Sequence, residues 1–475
     1  MTVLDLDNAQ KENVGLNFVL QRLTCCSPYG LEEIKQIAPF AAKGEEGLLE
    51  CFDNMEKLST LSKDNPDIID ELCGLLAHFK NIRGAMAKLK SAYLNQVELF
   101  EIKSFLLVFE QFLSVFDKTN KEMRLAGINF ASMEAALNIL DPHNKRITPF
   151  SIEDGFSPAL PEIRREKGRV ETLMRIEANQ NRREELLAQR ADIVAMEDVE
   201  EMRVMMELSQ GLREHITVFC NNMDNIGKLD FIIAKTLLAL KYGATRPKVG
   251  GKKLVLKDMN NPMIAEILAA TGKEFTATSL DLDVGTTIIT GANMGGKSVA
   301  MRTAVLNIML CRMGFFVFVK HAEIPLFDGV CLVSEDMQNA HQGLSSFGAE
   351  ISCLGHIINR SKKEFLFIAL DELARATNPQ EGAAIVRAVA AYLAYSGCIC
   401  LMSTHYDGVV RPDMKHYQVA GLAANIDNVA SIESYMDYSL VEANPAAQPP
   451  RDALRICKLL GLDDDLMGII DKEIN

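Results

Sequence analysis

Gly291-Ala292-Asn293-Met294-Gly295-Gly296-Lys297-Ser298 constrains the fold of this chain more than any other segment. It follows an apolar, β-branched run, Thr286–Thr290, and precedes a helical stretch beginning near Val299. Strand, glycine-rich turn and helix in that order call for an α/β layer built on a mostly parallel sheet. Glycines let a backbone wrap closely around phosphates, and a helix N-terminus adds N–H donors and a partial positive charge. The pattern G-x-x-x-x-G-K-[ST] therefore predicts a phosphate cradle made by Gly291, Asn293, Met294, Gly295, Gly296, Lys297, Ser298 and Val299. In that reading Lys297 reaches the β- and γ-phosphates of ATP, and the Ser298 hydroxyl holds Mg²⁺.

Two later segments supply the rest of such a site. Phe365-Leu366-Phe367-Ile368-Ala369-Leu370 reads as a buried strand that ends in Asp371-Glu372. In a parallel sheet that places both carboxylates at the C-terminal edge, where ligands bind. Asp371 suits the magnesium shell, and Glu372 is placed to orient and polarise an attacking water. A further strand, Ile399–Ser403, runs into Ser403-Thr404-His405-Tyr406, where His405 can hydrogen-bond a γ-phosphate or the lytic water.

The character of the chain changes at Arg246-Pro247, from helix after helix to alternating strands and helices. The clearest early helix is Glu98–Asp117, with an apolar stripe of Leu99, Ile102, Leu106, Phe109, Leu113 and Phe116. Residues 147–157 interrupt the helices with Pro149 and Gly155, which reads as a strand and turn. From Pro161 the text is helical and highly charged, and its apolar spacing lapses between Glu177 and Glu185. The lapse marks the tip of a long helical hairpin or the middle of one exposed helix. Between Arg164 and Arg190 eight basic residues face five acidic ones, a solvated helix face or a binding patch.

The expected architecture is multidomain. An all-α lever and core region (1–160) precedes a helical arm hairpin and connector (161–245), then an α/β P-loop domain (246–435) and a C-terminal helical element (436–475). A formal net charge of −14 over 475 residues is not that of a general nucleic-acid binder. The 11 cysteines lack zinc-ligand spacing and read as reduced thiols. With no signal peptide and no apolar run long enough for a bilayer, the expectation is a cytoplasmic protein without a membrane partner.

Taken together, these residues resemble the MutS family, within the ABC class of P-loop ATPases. Thr290–Ser298 is similar to that family's T-G-P-N-M-G-G-K-S, with Ala292 in place of proline. Gly343-Leu344-Ser345-Ser346-Phe347-Gly348-Ala349-Glu350 resembles its signature loop, Asp371–Thr377 its D-E-I-G-R-G-T, and Ser403–Tyr406 its A-T-H-Y. The tail Ala453–Asp463 is similar to its C-terminal helical dimerisation element. The likeness implies that Phe275 stacks on adenine. It also implies that Ser345 of one subunit completes the ATP site of the other in a homo- or heterodimer. Ala374 and Ala376 stand where the family has glycine, and Asn378-Pro379 replaces a Ser-Thr pair. No mismatch-reading domain precedes the levers, and the stretch before Leu229 is shorter than the family's clamp.

Two functions follow from the resemblance. One is an ATPase whose helical arms remodel or reactivate a client protein, as in MutS-related reactivase subunits of cobalamin-dependent aminomutases. The other is a DNA-binding ATPase of mismatch repair or related DNA metabolism.

Overall fold

The computed structural model describes residues 6–40, 44–291, 296–334, 346–375, 377–422, 436–443, 456–457 and 461–474. The chain divides into two compact units. One gathers Met1–Leu23, Ile37–Glu56 and Lys235–Asn475; the other gathers Thr24–Gln36 and Lys57–Ala234.

The first half of the chain is helical: α1 (Asn8–Val14), α2 (Leu16–Gln21), α3 (Pro28–Gln36), α4 (Glu45–Asp64), α5 (Pro66–Ala77), α6 (Arg83–Leu89), α7 (Gln96–Met123), α8 (Glu134–Leu140), α9 (Leu160–Ile176), α10 (Gln180–Arg213) and α11 (Ile216–Tyr242). Helix α7 opens on a capping box: Asn95 accepts from the Glu98 amide while the Glu98 carboxylate accepts from the Asn95 amide. Its stripe buries Leu99, Ile102, Leu106, Phe109 and Phe116, and Phe105 and Phe112 join them in an aromatic core with Phe79 and Phe130. That core belongs wholly to the helical unit.

Helices α9 and α10 form a hairpin. The lapse in apolar spacing coincides with the turn at 177–179, where Asn179 caps α10 by accepting from the Arg182 amide. No strand forms over 147–157; the segment closes as a short 3₁₀ turn at Asp154–Phe156. An extended piece inside a helical unit has no ladder to join, and here the Ile152 carbonyl is taken by the Arg164 guanidinium.

The α/β unit contains β1 (Lys248–Val249), β2 (Leu254–Met259), α12 (Pro262–Ala270), β3 (Thr278–Leu282), β4 (Gly285–Thr290), α13 (Lys297–Arg312), β5 (His321–Ile324), β6 (Gly329–Val333), α14 (Ser346–Ser361), β7 (Leu366–Asp371), α15 (Pro379–Leu393), β8 (Ile399–Ser403), β9 (Lys415–Leu422), β10 (Met436–Glu442) and α16 (Asp464–Ile474). Six strands form one sheet in the order β10-β9-β4-β8-β7-β6. All its pairings are parallel except that of β10, which lies antiparallel on β9. Strands β4, β6, β7 and β8 are buried along their whole length, as a parallel sheet covered on both faces requires. A second, mixed sheet has the order β1-β5-β2-β3. No described helix is long and apolar enough to cross a membrane, and all 11 cysteines are free thiols.

Candidate functional site

The register of the large sheet aligns the chemistry. Ile289 on β4 is opposite Ser403 on β8, and Ser403 is opposite Asp371 on β7. The chain therefore leaves three neighbouring strands at one edge, through Gly291, Glu372 and Thr404. Gly291 takes φ +133° against the Val419 side chain, a conformation closed to residues with a Cβ. Gly296, at φ +81°, is the N-cap of α13, and no side chain caps that helix. The amides of a helix's first turn point along its axis, where a phosphate can accept from them.

Lys297 is the first residue of α13 and only 3% exposed. Its ammonium donates to the Gly291 carbonyl at 2.7 Å and lies 3.7 Å from Glu372 Oε1. Burial pushes this ammonium below the usual lysine range, against the opposing pull of Glu372 and Asp371. A buried cation beside a backbone carbonyl and a carboxylate fits the role of a phosphate ligand. Ser298 and Val299 follow on α13, both half-buried.

The acidic pair is organised by Ser403. Its hydroxyl donates to Asp371 Oδ1 at 2.6 Å and accepts from the Glu372 amide at 3.0 Å. The Glu372 carboxylate also takes an ion pair from Arg375 Nη1 at 2.8 Å. Glu372 and Ala374 both adopt left-handed φ, +50° and +60°. The turn is fixed from outside by two contacts. The Ala374 amide donates to both oxygens of Glu350 on α14, at 3.1 and 3.2 Å. The Ala374 carbonyl accepts from the Tyr406 hydroxyl at 2.9 Å.

The structure thus brings Lys297, Gly291, Gly296, Asp371 and Glu372 together. His405 stands at the end of β8, exposed, with its ring against Tyr406 at 4.3 Å. Phe275 is half-buried in the loop before β3. Among the described residues no hydrogen bond or ring contact ties it to the cradle. Asn293, Met294, Gly295 and Ser345 lie outside the described residues.

Sequence reasoning gave no role to Ser403, Arg375, Glu350 or Tyr406, which set the geometry of the acidic turn. Their signal was membership of the matched motifs; nothing in spacing alone distinguished them. A buried hydrogen bond of 2.8 Å between Thr290 Oγ1 and His416 Nε2, just ahead of the cradle, was equally hidden.

Residues 287–450 match the family described as MutS domain V. That stretch, about a third of this chain, is similar to the MutS family. Among similar MutS-family proteins is one named endonuclease MutS2 from Leuconostoc citreum, 29% identical over 288 residues, or 58% of this chain and 34% of the relative. Proteins of the same name from Caldanaerobacter subterraneus and Streptococcus pyogenes are 28% and 31% identical over 273 and 252 residues, covering 32% and 30% of their own lengths. The matched span is about a third of these MutS2 proteins.

Proposed function

We propose that this MutS-family chain binds and hydrolyses ATP with Mg²⁺ and couples that cycle to movement of its helical arms. The observation that carries the reading is the buried Lys297 ammonium, 3.7 Å from Glu372 at the N-terminus of an uncapped helix. Lys297 would neutralise the β- and γ-phosphates, exchanging its contact with the Gly291 carbonyl for phosphate oxygens. Ser298 and Asp371 would hold Mg²⁺, which supplies charge neutralisation across the phosphates. Glu372 would accept the proton of the attacking water, and His405 would contact the γ-phosphate. Phe275 on adenine, and Ser345 reaching the ATP of a second subunit, rest on the family resemblance alone.

For the object of the arms, the name carried by the relatives, endonuclease MutS2, supports DNA. One observation weighs against a basic DNA-binding patch on the arm. The arm's basic residues are largely neutralised by neighbouring carboxylates: Arg164 by Asp154, Glu197 and Glu201, Lys167 by Glu197, Arg169 by Glu166, Arg182 by Glu185 and Arg190 by Glu171. Cations already paired release few counterions on meeting phosphate.

The test is Glu372→Gln. ATP binding should persist while turnover falls about 10²- to 10⁴-fold. Unchanged turnover would remove Glu372 as base, and loss of ATP binding by wild-type protein would remove the cradle. Binding of the ATP-trapped variant to duplex DNA at rising salt then chooses between the two objects.

A further inference from the structure

Helix α10 carries two apolar faces, and only one is covered. Leu186, Ile193, Val204, Leu208 and Leu212 are buried. On the opposite side Ala188, Ala191, Ala195, Val199, Met202 and Met206 are all exposed, Val199 by 68% and Met206 by 47%. Their steps of three, four, four, three and four residues keep them on one stripe, the spacing by which helices pair. A charged arm has no reason to show water this seam on its outer face, and a contiguous exposed apolar stripe of this kind marks an interaction surface.

We propose that this seam pairs with the same seam of a second copy of the chain, the two α10 helices running antiparallel. The order of side chains supports that occupant. The N-terminal half of the stripe is small (three alanines) and the C-terminal half is large (Val199, Met202, Met206). A two-fold axis beside residue 197 sets Ala188 opposite Met206, Ala195 opposite Val199, and Ala191 beside Met202 of the second copy. Small meets large at every level, which a parallel pairing cannot achieve. Such self-complementarity is what a closed two-fold interface requires.

The charges agree on one flank. The same axis places Asp192 beside Arg203 of the second copy, twice. Within its own chain Arg203 already holds Glu200 and Glu207, so its guanidinium is presented at the helix surface. On the other flank Asp198 approaches its own symmetry mate, which weakens the pair. The seam is about 27 Å long, and at roughly 10 Å of width covers roughly 300 Å² per copy. Stable interfaces need about 800 Å² per partner, so this contact closes and opens rather than holding a dimer alone.

Cysteine cross-linking tests the pairing and its polarity. No native cysteine lies in α9 or α10, and wild-type protein gives the background. Ala195→Cys and Val199→Cys are oxidised with copper–phenanthroline, separately and as an equimolar mixture. Antiparallel pairing predicts several-fold more disulfide-linked dimer in the mixture than in either sample alone. Asp192→Arg introduced into both cysteine variants should abolish the excess, and adding Arg203→Asp should restore it. Equal yields in single and mixed samples would mean parallel or random contact. No dimer above background, from variants with wild-type circular dichroism, would mean that something else covers the seam. Either result overturns the proposal.

Discussion

Ser403→Ala measures how much the acidic turn depends on one hydroxyl. Ser403 is fully buried, and Asp371 and Glu372 are 6% and 8% exposed. The substitution removes the donor to Asp371 Oδ1 and the acceptor of the Glu372 amide together. Each group left unsatisfied in the interior costs about 1–3 kcal/mol, with the charged carboxylate toward the upper end. Loss of one oxygen atom opens too little space for a replacement water. The expected destabilisation of the α/β unit is therefore about 3 kcal/mol. Urea unfolding should show it as a lower midpoint at an unchanged slope. Under the ATPase reading kcat should fall more than KM rises, because Glu372 loses its position while the cradle keeps Lys297. A change below about 0.5 kcal/mol would refute the reasoning, since it would mean that neither bond is made in solution or that the turn finds other partners without cost.

Two further perturbations address the helical unit. Asp141 is buried and lies 3.5 Å from the equally buried Lys103 ammonium. Burial alone would raise its carboxyl, but the Arg146 and Lys145 amides and Lys103 outweigh that and hold it below the usual range near 3.8. Its contribution is therefore complete above that value and is lost as pH falls through the lower folded value. Asp141→Asn should cost about 3–5 kcal/mol at neutral pH by stranding Lys103, with the gap to wild type closing in acid. A gap independent of pH would show that the carboxylate charge is not the cause. Gly30→Ala would drive a methyl to within 2.7 Å of Asp230 Cγ and 2.9 Å of Cys25 Cβ. That carboxylate cannot retreat, since it accepts from Ser27 Oγ and from the Ser27 and Cys26 amides. Thermal unfolding should show a loss of about 3 kcal/mol, the upper range for overpacking; a neutral variant would mean that the Asp230 network yields.

What was legible in the sequence is what local pattern dictates. Thr286–Thr290, Gly291 after it and the Asp371-Glu372 strand end announced the sheet edge, because a parallel sheet covered on both faces demands unbroken apolar strands. The break near 177–185 was legible because solvated residues cannot keep an apolar period, but whether it was a turn or the middle of one exposed helix was left open, and the structure shows a turn. The strand read into 147–157 failed for a non-local reason: a proline and a glycine mark a break in helix but cannot supply a partner strand. The positioning residues were illegible for the same reason. Nothing near Glu350 in sequence states that its carboxylate will receive the Ala374 amide, 24 residues away. The outer stripe of α10 could be counted from sequence, but which of the helix's two apolar faces meets water depends on where α9 lies.

Ala374 shows why such long-range contacts matter to the acidic turn. The family's motif has glycine there, and glycine accepts a left-handed φ freely. Alanine at +60° bears roughly 1–2 kcal/mol of backbone strain, and Glu372 at +50° bears a similar amount. Two strained residues in three persist only where the surroundings over-determine them. Here the constraints come from three elements at once: Glu350 on α14 through the Ala374 amide, Tyr406 after β8 through the Ala374 carbonyl, and Ser403 through the Glu372 amide. Helix α14 follows the segment that resembles the signature loop. A shift of α14 would draw on the Ala374 amide and so release strain stored two residues away from Glu372. The turn can therefore be set by the position of α14 as well as by its own strand; under the ATPase reading, any movement of that helix with the nucleotide would have a direct route to the acidic pair.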